Sequence, residues 1–484
     1  MDSPIHFGTS GWRGIIGNDF TFGNVRLAAA AIAGHVLSKN RNPTLLVGHD
    51  TRFFADEFTL AAAAILRARG VNVLLCDAPA PTPAIAYEIR RAKLDGALNF
   101  TASHNPYEYS GLKFSGADGA PAMPEVTKDI EARVKKLKEP PAAALPAESF
   151  ERIAIRDPYL KRLAELVHFD AIQKAGITIV YDGLHGCGAG YLDRALSDHG
   201  IAVHTIRANR DVLFDGTGPD VVESNLKPLA AAMRERHAQI GLATDGDADR
   251  FAMIDADGTW FQPNHILALV YDYLITTRKW NFPAARSVAT SHLLDAVAKL
   301  HGTAVSSTKA VFETPVGFKY IGEMIERDKI AMGGEESAGL SIRGHVPEKD
   351  GILACLLVAE MVATRRASLD AQLNDLFRRV GREFWPVRIN LHLPAGVQAG
   401  TVEKLKKDYK EFLGRKVART GRTDGLQLGF SDSSWVLLRL SGTEPLLRVY
   451  TEAATIEASQ KLAEQTRAWV MAGASEKIAG GAAA

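Results

Sequence analysis

Strand-like and helix-like runs alternate along the first hundred residues of this chain, and that alternation restricts the fold more than any other feature. Leu45-Leu46-Val47 reads as a strand, Glu57 to Arg69 as an alanine-rich helix, Val71 to Cys76 as a second strand and Pro83 to Lys93 as another helix; apolar spacing decides each reading. Crossover units packed around a sheet follow. The next apolar run, Ala97-Leu98-Asn99-Phe100, predicts a short strand ending at Thr101. The serine of Thr101-Ala102-Ser103-His104-Asn105-Pro106 then stands at a carboxyl edge, where α/β sheets carry their ligands.

A second unit runs from the strand Ile177 to Tyr181, through a glycine-rich loop at Gly183 to Gly190, to the strand Ile240 to Thr244. That loop reads as a tight strand-to-helix turn, with a phosphate cradle as the alternative. A third unit has a helix around His292 to His301, another after Pro315, and a strand Lys329 to Met332 leading to Gly334. Near Arg382 and Pro386 the pattern changes to strands such as Trp435 to Leu440 and Leu447 to Thr451, then a helix from Ile456 to Met471. The expected fold class is α/β: three similar mixed α/β domains over 1–148, 149–262 and 263–380, followed by a C-terminal α+β phosphate-binding domain over 381–484. The length of 484 residues suits several cores, since one core rarely serves so long a chain. Glu139 to Pro146 suits a linker, and Gly473 to Ala484 a frayed tail.

Chemistry concentrates in Asp245-Gly246-Asp247-Ala248-Asp249-Arg250. Three carboxylates at alternate positions reach one centre only if the backbone curls, and Gly246 and Ala248 permit the curl. Oxygen-only ligands select a hard ion such as Mg²⁺. A solvated acidic turn is the bland alternative. A calcium loop of EF-hand type is excluded, because its sixth position is Arg250 and its twelfth Ala256, where Gly and Glu are required. Arg250 suggests a second anionic group, such as phosphate. Ser103 is a hydroxyl nucleophile or an ordinary turn residue. Arg439, Ser441, Thr443 and Arg448, with the Gly442 backbone, supply two guanidinium forks, two hydroxyls and an N–H, a strong set for phosphate; a capped turn is the alternative.

Composition excludes some partners. The formal net charge is +1, which leaves no electrostatic footprint for nucleic acid or a membrane surface. Cys76, Cys187 and Cys355 lie far apart without CxxC spacing, so buried thiols in a reducing cytoplasm are expected. The start of the chain has no leader pattern and no run suits a bilayer span, which again points to the cytoplasm.

Four separated segments carry a resemblance: the serine loop, the metal loop, Gly334-Glu335-Glu336-Ser337-Ala338-Gly339, and Arg439-Leu440-Ser441-Gly442-Thr443-Glu444-Pro445. In their order the chain resembles, nearly end to end, the α-D-phosphohexomutases of the phosphoglucomutase/phosphomannomutase group. The resemblance implies a phosphorylated Ser103 in the first domain and Mg²⁺ on Asp245, Asp247, Asp249 and Ser103. It implies sugar contacts from Glu335 and Ser337 in the third domain, with Thr314 and Gly317, and a phosphate grip from Arg439, Ser441, Gly442, Thr443 and Arg448 in the fourth. Lys113 and the segment His345 to Asp350 are implied near the reacting oxygens, with Lys113, Lys349 and His104 for proton transfer or charge balance and Arg250 among the catalytic groups. Arg13, in Phe7 to Gly14, is implied to approach the serine loop. Two departures are Ser110, where the family usually has Asn, and His49, where Arg is common.

The expected activity interconverts hexose 1-phosphate and hexose 6-phosphate through a hexose 1,6-bisphosphate, with glucose 1,6-bisphosphate as activator. Glu335-Glu336-Ser337 favours glucose phosphate; mannose or glucosamine phosphate are the alternatives. A phosphatase has no need of the Arg439 to Arg448 grip. A catalytically silent binding relative usually lacks the nucleophile or an aspartate, and both are intact.

Overall fold

Leucine- and valine-rich runs form buried strands such as Thr44–His49 and Trp435–Leu440, and alanine-rich runs form helices such as Phe22–Leu37 and Ala55–Ala68. The computed structural model describes residues 5–8, 11–137, 147–307, 309–440 and 446–472. It divides into two units, Met1–Ala285 with Gly317–Gln372, and Arg286–Val316 with Leu373–Ala484.

In the first unit a seven-stranded sheet runs in the order Phe7–Gly8, Gly11–Ile15, Tyr109–Gly116, Gly96–Phe100, Thr44–His49, Asn72–Cys76, Glu151–Ile153. Thr44–His49 is parallel to both neighbours, Gly96–Phe100 and Asn72–Cys76, whereas Gly96–Phe100 meets Tyr109–Gly116 antiparallel. The expected helices are Ala55–Ala68 and Thr82–Arg91. Buried alanines of Phe22–Leu37 and Ala55–Ala68 let these two helices lie close together, and Trp12, Phe20, Phe58 and Phe100 fill the core. A five-stranded sheet follows in the order Trp260–Phe261, Phe251–Asp255, Ile240–Thr244, Ile179–Asp182, Val203–Ile206. Every residue of Ile240–Thr244 is buried.

One strand differs from expectation. The apolar pattern predicts an extended run over Lys329 to Met332, but the strand is Met332–Glu335, paired antiparallel with Gly339–Ile342. Gly333 and Gly334 have little strand preference in a sequence. Here they are required by packing, since a side chain on either would strike Ile321 or Leu267. The strand therefore ends at Glu335 itself.

In the second unit six antiparallel strands run in the order Trp385–His392, Leu446–Ala453, Trp435–Leu440, Leu426–Phe430, Arg415–Gly421, Glu411–Phe412. Pro386 sits on the edge strand, where a missing N–H costs no ladder bond. Helix Ile456–Ala472 packs on the sheet through Leu462 and Val470. The expected linker at 139–146 and the tail at 473–484 lie outside the described residues. All three cysteines are buried and unpaired. Among the described residues no helix is long and apolar enough to cross a membrane.

Candidate active site

Ser103 lies just past the end of strand Gly96–Phe100. Its backbone is left-handed, φ +52, a conformation that L-residues seldom adopt. The segment is held in it. Ser103 N donates to Thr101 Oγ1 at 2.8 Å, and the buried Arg52 donates from Nη2 to Ser103 O at 2.7 Å and Asn105 O at 2.6 Å. Arg52 Nη1 takes Pro106 O and Tyr109 O, and Nε meets Asp50 Oδ2 at 3.1 Å. Held in this way, the Ser103 hydroxyl donates to Asp245 Oδ2 at 2.7 Å.

The metal loop follows strand Ile240–Thr244. Its curl occurs at Ala248, φ +55, and not at Gly246, the other position expected to permit it. Gly246 is needed for closeness instead: a Cβ there would lie 2.7 Å from Ser103 O and 3.0 Å from Pro219. Arg250 N donates to Asp245 Oδ1 at 3.0 Å. Ligand atoms of Asp245, Asp247 and Asp249 all lie within 4.8 Å of one another. Asp247 Oδ1 and Asp249 Oδ1 are buried without a hydrogen-bond partner. Bare buried carboxylate oxygens are costly, and a hard cation would satisfy them, so this donor set fits a metal ion.

Two lysines balance the triad. Lys113 Nζ is 2.5 Å from Asp247 Oδ2 and 2.7 Å from Asp249 Oδ2, and Lys349 Nζ is 3.0 Å from Asp249 Oδ2. Burial alone would lower both ammonium groups. Asp247 and Asp249 raise Lys113 above the usual lysine range, and Asp249 with Glu348 raises Lys349. Both shifts favour the ammonium form, which suits charge balance. Burial, then Asp247 and Asp249, pushes Asp245 well up; burial would also raise Asp249, but Lys113 and Lys349 hold it low. His104 Nδ1 is 3.4 Å from Ser103 Oγ. Burial, with Arg250 and Arg13, keeps its imidazole neutral. Arg13 Nη1 donates to Asn105 Oδ1 at 2.5 Å, on a strand paired with the one carrying Lys113.

Glu335 is buried and accepts from Gly317 N at 2.7 Å. Burial and the neighbouring Glu336 raise its carboxyl to about 7. Ser337 is half-buried in the turn that follows. His345 Nε2 meets Asp350 Oδ2 at 2.7 Å and leaves a buried Nδ1 unpartnered. In the second unit, Thr314 is buried and spends its hydroxyl on Pro315 O at 2.9 Å. Arg439 and Arg448 face each other across paired strands, with Arg439 Nε on Asp424 Oδ2 at 2.7 Å. Ser441, Gly442 and Thr443 lie outside the described residues.

Sequence reading missed several residues of this site. Thr82 Oγ1 donates to Asp247 Oδ2 at 2.5 Å. Asp50 and Arg52 brace the serine loop, and the compact run Asp50-Thr51-Arg52 was the signal available for them. The two departures fare differently. His49 Nε2 pairs with Asp56 Oδ1 at 3.2 Å, and Ser110 Oγ is buried without a partner. The loop at Gly183 to Gly190 turns its Cys187 N–H to Gly246 O at 3.0 Å, bracing the metal loop from the other side.

A buried serine hydroxyl held against a buried acidic triad with two lysines, at the ends of α/β strands, is an arrangement that fits the metal-assisted phosphoryl-transfer class of enzyme. Profiles described as phosphoglucomutase/phosphomannomutase alpha/beta/alpha domains I, II and III match residues 4–141, 157–258 and 262–380, and that of the C-terminal domain matches 398–468. A phosphoglucomutase/phosphomannomutase of Thermococcus kodakarensis is 29% identical over 471 residues, 95% of this chain and 96% of that one. A phosphoglucosamine mutase of Bordetella petrii is 30% identical over 94% of this chain and 96% of its own length. The crystal structure of a provisionally assigned phosphomannomutase from Thermus thermophilus is 32% identical, with a TM-score of 0.85 over 97% of this chain and 100% of that one. The chain belongs to the phosphoglucomutase/phosphomannomutase family of phosphohexomutases and is a mutase.

Proposed function

We propose that the chain is a cytoplasmic, phosphoserine-dependent mutase that interconverts glucose 1-phosphate and glucose 6-phosphate through glucose 1,6-bisphosphate, which also activates it. The observation that carries the reading is the Ser103 hydroxyl 2.7 Å from Asp245, within a triad that has bare carboxylate oxygens. Asp245, Asp247 and Asp249, with phosphorylated Ser103, would hold Mg²⁺, whose charge offsets that of the phosphoryl oxygens when bound.

In the first transfer the bond from phosphorus to Ser103 Oγ breaks as one forms to a free sugar hydroxyl oxygen, and the proton lost by the sugar equals the one Ser103 Oγ can later carry. The bisphosphate then turns over, and the reverse exchange at its other end restores the phosphoserine. Lys113, Lys349, Arg13 and Arg250 balance the negative charge, and the neutral His104 imidazole, 3.4 Å from Ser103 Oγ, is a candidate to accept a proton while Asp245 serves the cation. Glu335, Ser337, Gly317, Thr314 and His345 would orient the sugar. Arg439, Ser441, Gly442, Thr443 and Arg448 would grip the phosphate that does not react.

Intact mass before and after exposure to glucose 1,6-bisphosphate tests the mechanism. The treated wild type gains one phosphoryl group and Ser103→Ala gains none; a wild type that never carries it sinks the reading. The glucose preference rests on the carboxylate at Glu336 in Glu335-Glu336-Ser337. It is checked by comparing turnover of glucose, mannose and glucosamine monophosphates, and a preference for either of the others overturns it.

A further inference from the structure

A second cluster of metal-ligating groups lies apart from the aspartate triad. His185, Asp211 and Asp215 each offer one ligand atom, and these atoms lie within 4.8 Å of one another. His185 is 5% exposed. Its Nδ1 is 2.9 Å from Asn209 O, an oxygen that can only accept, so Nδ1 carries the ring proton. That leaves Nε2 as the ring atom with a lone pair to offer a ligand, and it is buried with no hydrogen-bond partner.

Asp215 Oδ2 stands 3.0 Å from this nitrogen, yet outside the alignment of a hydrogen bond. Two lone pairs at that distance repel unless a positive charge lies between them. A proton would favour an aligned N–H. A metal ion asks for something else: neighbouring ligands about 2.1 Å from a common ion stand about 3.0–3.4 Å apart at octahedral or tetrahedral angles. The carbonyl on Nδ1 is also the usual outer partner that fixes a ligating histidine.

Asp211 is prepared in the same way. Its oxygens accept from Leu213 N at 2.9 Å and Asp215 N at 3.0 Å, which holds the carboxyl below its ordinary range and leaves lone pairs free. Arg210, the adjacent cation, is turned to Thr51 O, Arg52 O and Asp56. Among the described residues no lysine or arginine pairs with Asp211 or Asp215.

We propose that His185, Asp211 and Asp215 form a second cation site, distinct from the triad, that takes a borderline transition ion of the zinc type through Nε2 and two carboxylate oxygens. The nitrogen ligand is what separates it from the oxygen-only triad. The ion would fasten loop 207–216 to the support of the serine loop, since His185 O accepts from Thr51 Oγ1 at 2.8 Å and the Arg52 guanidinium lies over the Phe214 ring at 5.1 Å.

The test is zinc content and affinity of the full chain by equilibrium dialysis with excess Mg²⁺, in wild type, Asp211→Asn, Asp215→Asn, His185→Gln and Asp247→Asn. Asp215 is half exposed, and asparagine tolerates its left-handed backbone, so that variant is expected to fold even if His185→Gln does not. The expected result is one Zn²⁺ per chain lost, or bound at least tenfold more weakly, in the cluster variants, and that same ion retained in Asp247→Asn. Added Zn²⁺ should raise the melting temperature of wild type but not of Asp215→Asn. Equal zinc binding in wild type, Asp211→Asn and Asp215→Asn overturns the proposal, as does the absence of any zinc whose binding those changes reduce.

Discussion

Arg52 Nη2 donates to the carbonyl oxygen of Ser103 at 2.7 Å, one of four loop carbonyls that a single fully buried guanidinium holds. A lysine keeps the charge and loses the planar fork. Arg52→Lys is therefore expected to cost about 3–5 kcal/mol of stability, the range for disrupting a buried charged pair. Its kcat should fall more than its KM changes. Denaturant melts and steady-state kinetics check both; a variant as stable and active as wild type would show that other contacts hold the loop.

Gly246→Ala probes the closeness of the serine and metal loops. The added carbon would meet Ser103 O at 2.7 Å and the Pro219 ring at 3.0 Å, and neither is the end of a flexible side chain. Overpacking of this kind costs about 1–3 kcal/mol. The variant should also lose phosphoryl uptake at Ser103, measured by intact mass.

Lys113→Met removes the ammonium between Asp247 and Asp249. The carboxylates then depend on added cation. Without Mg²⁺ the melting temperature should fall, and saturating Mg²⁺ should raise it by more than in wild type. Activity should drop by at least about tenfold, as for a lost electrostatic stabiliser of phosphoryl transfer.

Glu335 gives a pH dependence of defined sign. Burial and Glu336 raise its carboxyl from 4.5 to about 7 in the folded chain, so between those values the folded state binds more proton than the unfolded one. Stability from this group is present at low pH and is lost as pH rises through about 4.5 to 7, by on the order of 3 kcal/mol. Glu335→Gln should flatten that part of the melting profile. An unchanged profile would mean that Glu335 titrates near its ordinary value.

Arg439 and Arg448 are directly opposed on neighbouring strands, and like charges so placed are destabilising, with Asp424 offsetting the charge of Arg439. Arg448→Ala should leave the melting temperature of the free protein equal or slightly higher. The KM for hexose phosphate should rise about 10–100-fold, the loss expected for one charge-assisted phosphate contact. A fall in stability with unchanged KM would assign the arginine a structural role.

The parts of the site legible in the sequence are those set by local pattern. Ile240–Thr244 is a continuous apolar run, so its end and the three aspartates after it could be placed. Ser103 could be placed for the same reason. Thr82 could not, because its bond to Asp247 spans 165 residues and leaves no trace in either neighbourhood. The run Asp50-Thr51-Arg52 was visible, but the role of Arg52 was not, since nothing local separates a buried arginine that binds carbonyls from a solvated one. The strand at Met332–Glu335 was displaced because its glycines answer to Ile321 and Leu267, not to strand preference.

The left-handed main chain at position 103 also narrows which alcohol can do the work. Threonine carries the same functional group, but its branched carbon is a steric outlier at φ +52. The backbone, ahead of any chemistry, has thus already chosen between the two hydroxyl amino acids.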